Sequence, residues 1–240
     1  MGTVMERLAK PADERRFFFY MAVAIFFTVV AGFGSDIIAR HVWFTDFPWP
    51  VHVHAIVFSS WIIFYVVQNW LVADSRNIKL HRRLGWLGAG IATVMVPLGI
   101  AGTVIAIGRG SITGLFPLGL FLTMNTLGIL AFAALTFAAI RLRNDAGWHK
   151  RLMLCGTIIV IGPALGRLQA LLPLGGFAPF AVLSAMMVYI LSGILFDLAV
   201  LRRIHPAYLW GVGTVVLLNL LIGPIGFSPQ VEAFATRLAS

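Results

Sequence analysis

Cysteine is almost absent from this chain: Cys155 is the only one among 240 residues. No intrachain disulfide can form, and no cysteine-built zinc or iron–sulfur cluster can be assembled from the chain alone. Acidic residues are scarce as well, nine against eighteen Lys and Arg, and charged residues of all kinds make up 11 % of the sequence. A soluble domain carries about 25 %, so this chain has too few charges to clothe a water-facing surface. The hydrolase and nucleotide motifs are missing too: there is no H-E-x-x-H, no Walker loop and no G-x-S-x-G. A stand-alone enzyme is therefore not expected.

What fills the chain instead is apolar. Hydrophobic residues make up 60 % of it, and the mean hydropathy is +0.93. A bilayer crossing takes about 20 largely apolar residues, and seven such runs occur: Phe17–Ala39, Val51–Ala73, Leu84–Ile107, Leu115–Ile140, Leu152–Leu172, Phe177–Leu201 and Tyr208–Phe227. The first is longer than the 7–15 residue core of a cleavable signal peptide and is expected to stay as a span. The expected fold is an all-α integral membrane protein of seven transmembrane helices. No low-complexity linker interrupts it, so residues 1–240 form a single domain.

Cations alternate between the loops. Arg7, Lys10, Arg15 and Arg16 precede the first span; Arg76, Lys79, Arg82 and Arg83 follow the second; Arg141, Arg143, Lys150 and Arg151 follow the fourth; Arg202 and Arg203 follow the sixth. These are fourteen of the eighteen, and by the positive-inside rule they set the N-terminus in the cytoplasm and the C-terminus outside. Trp70, Trp86, Trp148 and Trp210 fall at the same inner boundaries, and Trp43 and Trp49 lie in the first outer loop, as amphipathic rings prefer. The net charge of +9 is thus a matter of topology, and nucleic acid is not an expected partner. The expected surroundings are a lipid bilayer, the inner (plasma) membrane of a bacterium, with partner membrane subunits as a further option.

No Asp, Glu, Lys, Arg or His falls at the middle of any run. Ionisable groups at that depth usually mark proton relays or substrate paths, so a pump or secondary transporter is disfavoured. A retinal protein is disfavoured further, because the seventh run has no Lys. Asn125 and Asn219 do lie at mid-depth and are expected to act as interhelical glue. Pro97, Pro163 and Pro224 lie inside spans, and Gly162 and Gly166 form a small-xxx-small pair; packing is expected from these rather than a hinge.

Polar residues gather on two shelves. The outer one holds Asp36, Arg40, His41, Asp46, His52, His54, Arg109 and Arg167. His52, His54 and Asp36 are candidate ligands for a divalent metal. A helix, however, would turn His52 and His54 about 200° apart, and His54 could equally bond a neighbouring helix.

The inner shelf gathers His81, His149, His205, Asp197 and the basic residues, and two similar turns build most of it, His81-Arg82-Arg83-Leu84 and His149-Lys150-Arg151-Leu152, each followed by a Gly-rich apolar run containing a proline. They suggest tandem hairpins, residues 51–107 and 115–172, forming a four-helix core. In such a core the third and fifth spans are diagonal, the arrangement in which two imidazoles reach one b-type haem from opposite sides. His81 and His149 are therefore candidate haem ligands, although both stand in the turns beside charged neighbours, where solvated histidines would also stand. His54 is the candidate for an outer haem, with Met124 its conceivable partner. Binding of haem b, of a divalent metal, or of no cofactor at all are all compatible with these residues.

His54, Trp61 and Gln68, the turn LHRRLGW, the segment HKRLML followed by GPALGRL, and ILFDLAVLRRIHPAYLWG together resemble a group of uncharacterised bacterial integral membrane proteins with HRRLG-type turns. The resemblance spans about residues 51–211 and implies a multi-helix membrane fold without an assigned activity. Similarity to transmembrane cytochrome b ferric reductases rests only on the diagonal histidines, and their second histidine pair is missing. The functional expectation is a haem- or metal-binding redox protein of the membrane. The alternatives are a cofactor-free accessory or structural subunit and a binder of lipid or a small hydrophobe, anchored by Asn125 and Asn219.

Overall fold

The computed structural model describes residues 2–40, 46–111, 117–169, 171–172 and 178–240, with only the backbone described for 2–11, 40 and 178–180. These residues form α1 (Gly2–Arg40), α2 (Trp49–Ala73), α3 (Ile78–Gly108), α4 (Leu118–Arg141), α5 (Ala146–Val160), α6 (Gly162–Gln169), α7 (Ala178–Phe196), α8 (Ala207–Gly226) and α9 (Pro229–Ala239). A single π-helical turn, Asp197–Leu201, extends α7.

Short polar residues start the helices. Asn77 accepts the Leu80 N–H at 3.0 Å at the head of α3. Asp145 accepts from Gly147 and Trp148 at 2.8 and 3.2 Å at the head of α5. Each satisfies backbone donors that a helix start leaves without partners.

Six of the helices are long and apolar enough to cross a membrane, and α5 with α6 make a seventh crossing if that bent pair is one span. In none of the six is more than 28 % of the most apolar stretch buried. Phe27, Ile38, Trp86, Phe137, Leu195 and Leu220 all point outward. A surface this apolar is stable against hydrocarbon and not against water: the chain is a multi-pass membrane protein.

The fifth crossing differs from expectation. It breaks at Ile161, where α5 and α6 meet at 46°. Pro163 has no N–H to donate and its ring crowds the preceding turn, whereas Pro97 and Pro224 sit inside unbroken helices. Gly162 of α6 packs closely on α7, where a β-carbon would come within 2.7 Å of the Met186 Cε, while Gly166 meets only Val182 at 3.9 Å; α1 also approaches α6 closely. A β-carbon at Gly32 of α1 would lie 2.4 Å from the Ala164 carbonyl oxygen of α6, so only glycine fits there. Asn125 and Asn219 each donate to a carbonyl of their own helix, those of Phe121 and Val215 at 2.8 Å; these amide bonds tie no neighbouring helix.

Consecutive helices from α1 to α5 pack side by side, and α5 then packs on α8 while α6 packs on α1. Trp61 of α2 meets Phe132 of α4 edge to face at 5.1 Å. Around them Ile25 of α1, Leu154 and Ile158 of α5 and Tyr208 of α8 are fully buried. The four central helices thus share their core with α1 and α8. α9, which the hydropathy does not announce, lies along the ends of α3 and α4; its Glu232 accepts the Gly119 N–H at 2.8 Å.

Candidate functional site

The up-and-down path of the helices gathers the starts of α1, α3, α5 and α8 and the end of α7 at one end of the molecule, and this is the basic end. Here His81 and His149 meet. Each is the fourth residue of its helix, so they lie within the first helical turn and not in the loops. Their ring centroids are 6.2 Å apart with the planes at 79°. His149 donates from Nδ1 to the Ala139 carbonyl at 2.9 Å, which leaves Nε2 as the nitrogen with a lone pair to offer. The His81 ring lies beside the Gln68 backbone carbonyl, yet its buried Nδ1 makes no hydrogen bond of ordinary geometry. The Gln68 side chain is also buried, and neither of its amide atoms is bonded.

The other predicted residues are spread over the opposite end. Asp36 accepts from Arg167 Nε at 3.2 Å, and Arg167 lies over the Phe33 ring. His52 donates from Nε2 to the Phe47 carbonyl at 3.0 Å. His54 donates from Nδ1 to the Leu98 carbonyl of α3 at 3.2 Å and stacks on Phe58. Both histidines are in α2, so they face different sides of it. His41 lies outside the described residues. Among the described residues no three His, Cys, Asp or Glu side chains gather as a metal would need.

Beside the histidine pair the inner shelf closes into an ion-paired group, whose pairing and whose Glu14 the sequence does not announce. Arg151 of α5 is 1 % exposed and Asp197 is fully buried. Arg151 donates from Nε and Nη2 to the two oxygens of Asp197, at 2.9 and 2.6 Å. Its Nη2 also reaches Glu14 of α1 at 2.7 Å, and Nη1 donates to the Gly147 carbonyl at 3.1 Å. Lys150 pairs with the same Glu14 oxygen at 2.6 Å. One guanidinium thereby ties α1, α5 and the π-helical turn together, in the two-pronged geometry that suits Arg and carboxylate. Asp197 sits at the first position of that turn and also accepts the His205 N–H at 3.2 Å.

The chain then reverses at Arg202, which adopts a left-handed conformation at φ 57°, strained for a residue with a side chain. This brings His205 back over the cluster. Its Nδ1 accepts the Ala207 N–H at 3.2 Å, and its ring packs edge-on to Trp148 at 5.4 Å. Burial, and the positive charge of Arg151 beside it, hold His205 below the ordinary histidine value. A cavity of about 350 Å³ opens here, between Glu14, Lys150, Arg151, Arg203 and His205.

Of these residues, His81, His149, His205, Asp197 and the basic turn are legible in the sequence as one shelf, while Glu14 and the pairing of Arg151 with the two carboxylates are not. No family model, no curated protein and no solved structure matches the chain.

Proposed function

We propose that this chain is a redox protein of a bacterial inner membrane, N-terminus in the cytoplasm, that holds one b-type haem between His81 and His149 at the cytoplasmic ends of its helices. The observation that carries the reading is the meeting of these two histidines from separate helices. A metal bound at about 2.0 Å by one nitrogen of each ring separates opposed ring centroids by roughly 6 Å, close to the 6.2 Å found. No third protein ligand stands with them among the described residues. That favours an iron whose other ligands come from a porphyrin over a zinc or copper ion that would draw four from the chain.

The chain's own part is to fix and insulate. The Ala139 carbonyl holds the His149 tautomer, and the cationic surroundings of the pair, Arg82 among them, would tune the potential of an iron held there. The Gln68 backbone carbonyl lies beside His81. When bound, the haem would supply one-electron transfer at the membrane face.

The test is an absorption spectrum of protein purified in mild detergent from haem-supplemented cells, oxidised and dithionite-reduced, with iron measured on the same sample. A reducible Soret band at one haem per chain, lost in the His81→Ala, His149→Ala double variant, is the expected result. A colourless, iron-free protein refutes the proposal, as does a band indifferent to both substitutions.

A further inference from the structure

The cavity at the basic end is independent of the histidine pair, and its hydrogen-bonding groups are unequally spent. One oxygen of each lining carboxylate is spent: Glu14 Oε1 takes both Lys150 and Arg151, and Asp145 Oδ1 at the rim takes two backbone N–H groups of α5. Several of its donors are unspent. The Ala207 N–H fixes His205 as the tautomer whose proton is on Nε2, and that nitrogen faces the Gly147 backbone, where a β-carbon would come within 2.7 Å of it. Arg203 is exposed, and no carboxylate pairs with it among the described residues. Lys150 has ammonium protons beyond the one aimed at Glu14. Such a surplus of donors selects an oxyanion.

Charge then narrows the class. Of the charged residues that line the cavity, Lys150, Arg151 and Arg203 exceed Glu14 and Asp145 by one, so a singly charged oxyanion held by directed donors suits it better than a doubly charged phosphate. Depth narrows it again. The crossings of α1 and α8 begin at Ala12 and Ala207, and that of α7 ends at Leu201, which lines the cavity. The cavity therefore lies where spans emerge, at headgroup level. One helical turn beyond His205 a shallow, open apolar groove of about 390 Å³ runs on the outward face of α8, formed by Leu209, Trp210, Gly213, Thr214 and Leu217 of that one helix.

We propose that this cavity binds the phosphodiester of a membrane phospholipid, with Lys150, Arg203 and His205 as donors and an acyl chain lying in the α8 groove. A charge-assisted hydrogen bond contributes about 1.5–3 kcal/mol, so losing Arg203 weakens binding at least tenfold.

The experiment is native mass spectrometry of delipidated protein titrated with phosphatidylglycerol, and with diacylglycerol of the same chains, for wild type, Arg203→Gln and Gly147→Ala. Thermal unfolding with added inorganic phosphate runs alongside. The expected result is one phosphatidylglycerol per chain, little diacylglycerol, at least tenfold weaker retention in Arg203→Gln, and no stabilisation by millimolar phosphate. Equal retention of the two lipids overturns the proposal, as does retention unchanged in Arg203→Gln. Stabilisation by inorganic phosphate that phosphatidylglycerol does not displace overturns it in favour of a soluble ligand. Arg203→Gln alters an exposed side chain and will fold, so it carries the test even if Gly147→Ala does not.

Discussion

Replacing Asp197 by Asn keeps the shape of the side chain and removes its charge. Arg151 stays 1 % exposed but loses the partner that meets its Nε and Nη2 at 2.9 and 2.6 Å. Breaking a buried ion pair by removing one member costs about 3–5 kcal/mol, because the other charge is left without compensation. Here Glu14 remains 2.7 Å from the same guanidinium, so the expected loss is at the low end, about 3 kcal/mol. Glu14→Gln makes the contrast. Its side chain is 16 % exposed and its second partner, Lys150, 25 %, so solvent screens the loss and the cost falls to about 1 kcal/mol. Exchanging both members of the buried pair, Arg151→Met with Asp197→Leu, should bring stability back to within about 1 kcal/mol of wild type. Reversible unfolding in mixed detergent micelles, followed by circular dichroism and tryptophan fluorescence, measures all four proteins. If Asp197→Asn costs no more than Glu14→Gln, or if the double exchange is worse than the single, the buried pair is not what holds this end of the bundle.

Two further outcomes follow from local geometry. Gly32→Ala would press a methyl group to 2.4 Å from a backbone carbonyl that cannot rotate away; it should cost roughly 1–3 kcal/mol or more. Gly34→Ala meets nothing within 4 Å and should gain up to about 1 kcal/mol from helix propensity; the same unfolding assay separates the two, and equal effects would refute the close approach of α1 and α6. His205 is held below the ordinary histidine value in the folded protein, so between that lowered value and about 6.5 the unfolded chain binds more protons. Stability should therefore rise with pH across that window and fall on acidification through it, and His205→Gln should remove this part of the slope. Histidine NMR showing that His205 titrates at or above 6.5 would refute it.

How much was legible depended on the range of the signal. Spans follow from runs of apolar residues, which any window along the chain detects, and six of the seven expected crossings are single helices. The meeting of His81 and His149 was readable because both turns share a local pattern, and equivalent turns of an up-and-down bundle come to the same end. The pairing of Arg151 with Asp197 and Glu14 follows no such pattern. Asp197 lies 46 residues and Glu14 137 residues from Arg151, and a carboxylate near a span end looks the same whether it faces water or a guanidinium. The break of the fifth crossing was signalled by Pro163, but Pro97 and Pro224 carry the same signal without breaking their helices; neighbours decide, and the sequence does not show them. α9 could have been found, since Ser228 followed by Pro229 is a helix start, and Ser228 does accept the Val231 N–H.

The break between α5 and α6 gives α1 a mechanical part. One side of the fracture is fastened to α1 near its start, through Glu14 and Arg151. The other is fastened further along it, through the seat of Gly32 on Ala164 and the pairing of Asp36 with Arg167. α1 therefore acts as a splint laid across a fractured rod. Whatever tilts one half of the fifth crossing must either drag the first helix with it or shear one of these two fastenings, so a displacement at one face of the membrane is carried to the other by a helix that is itself unbroken.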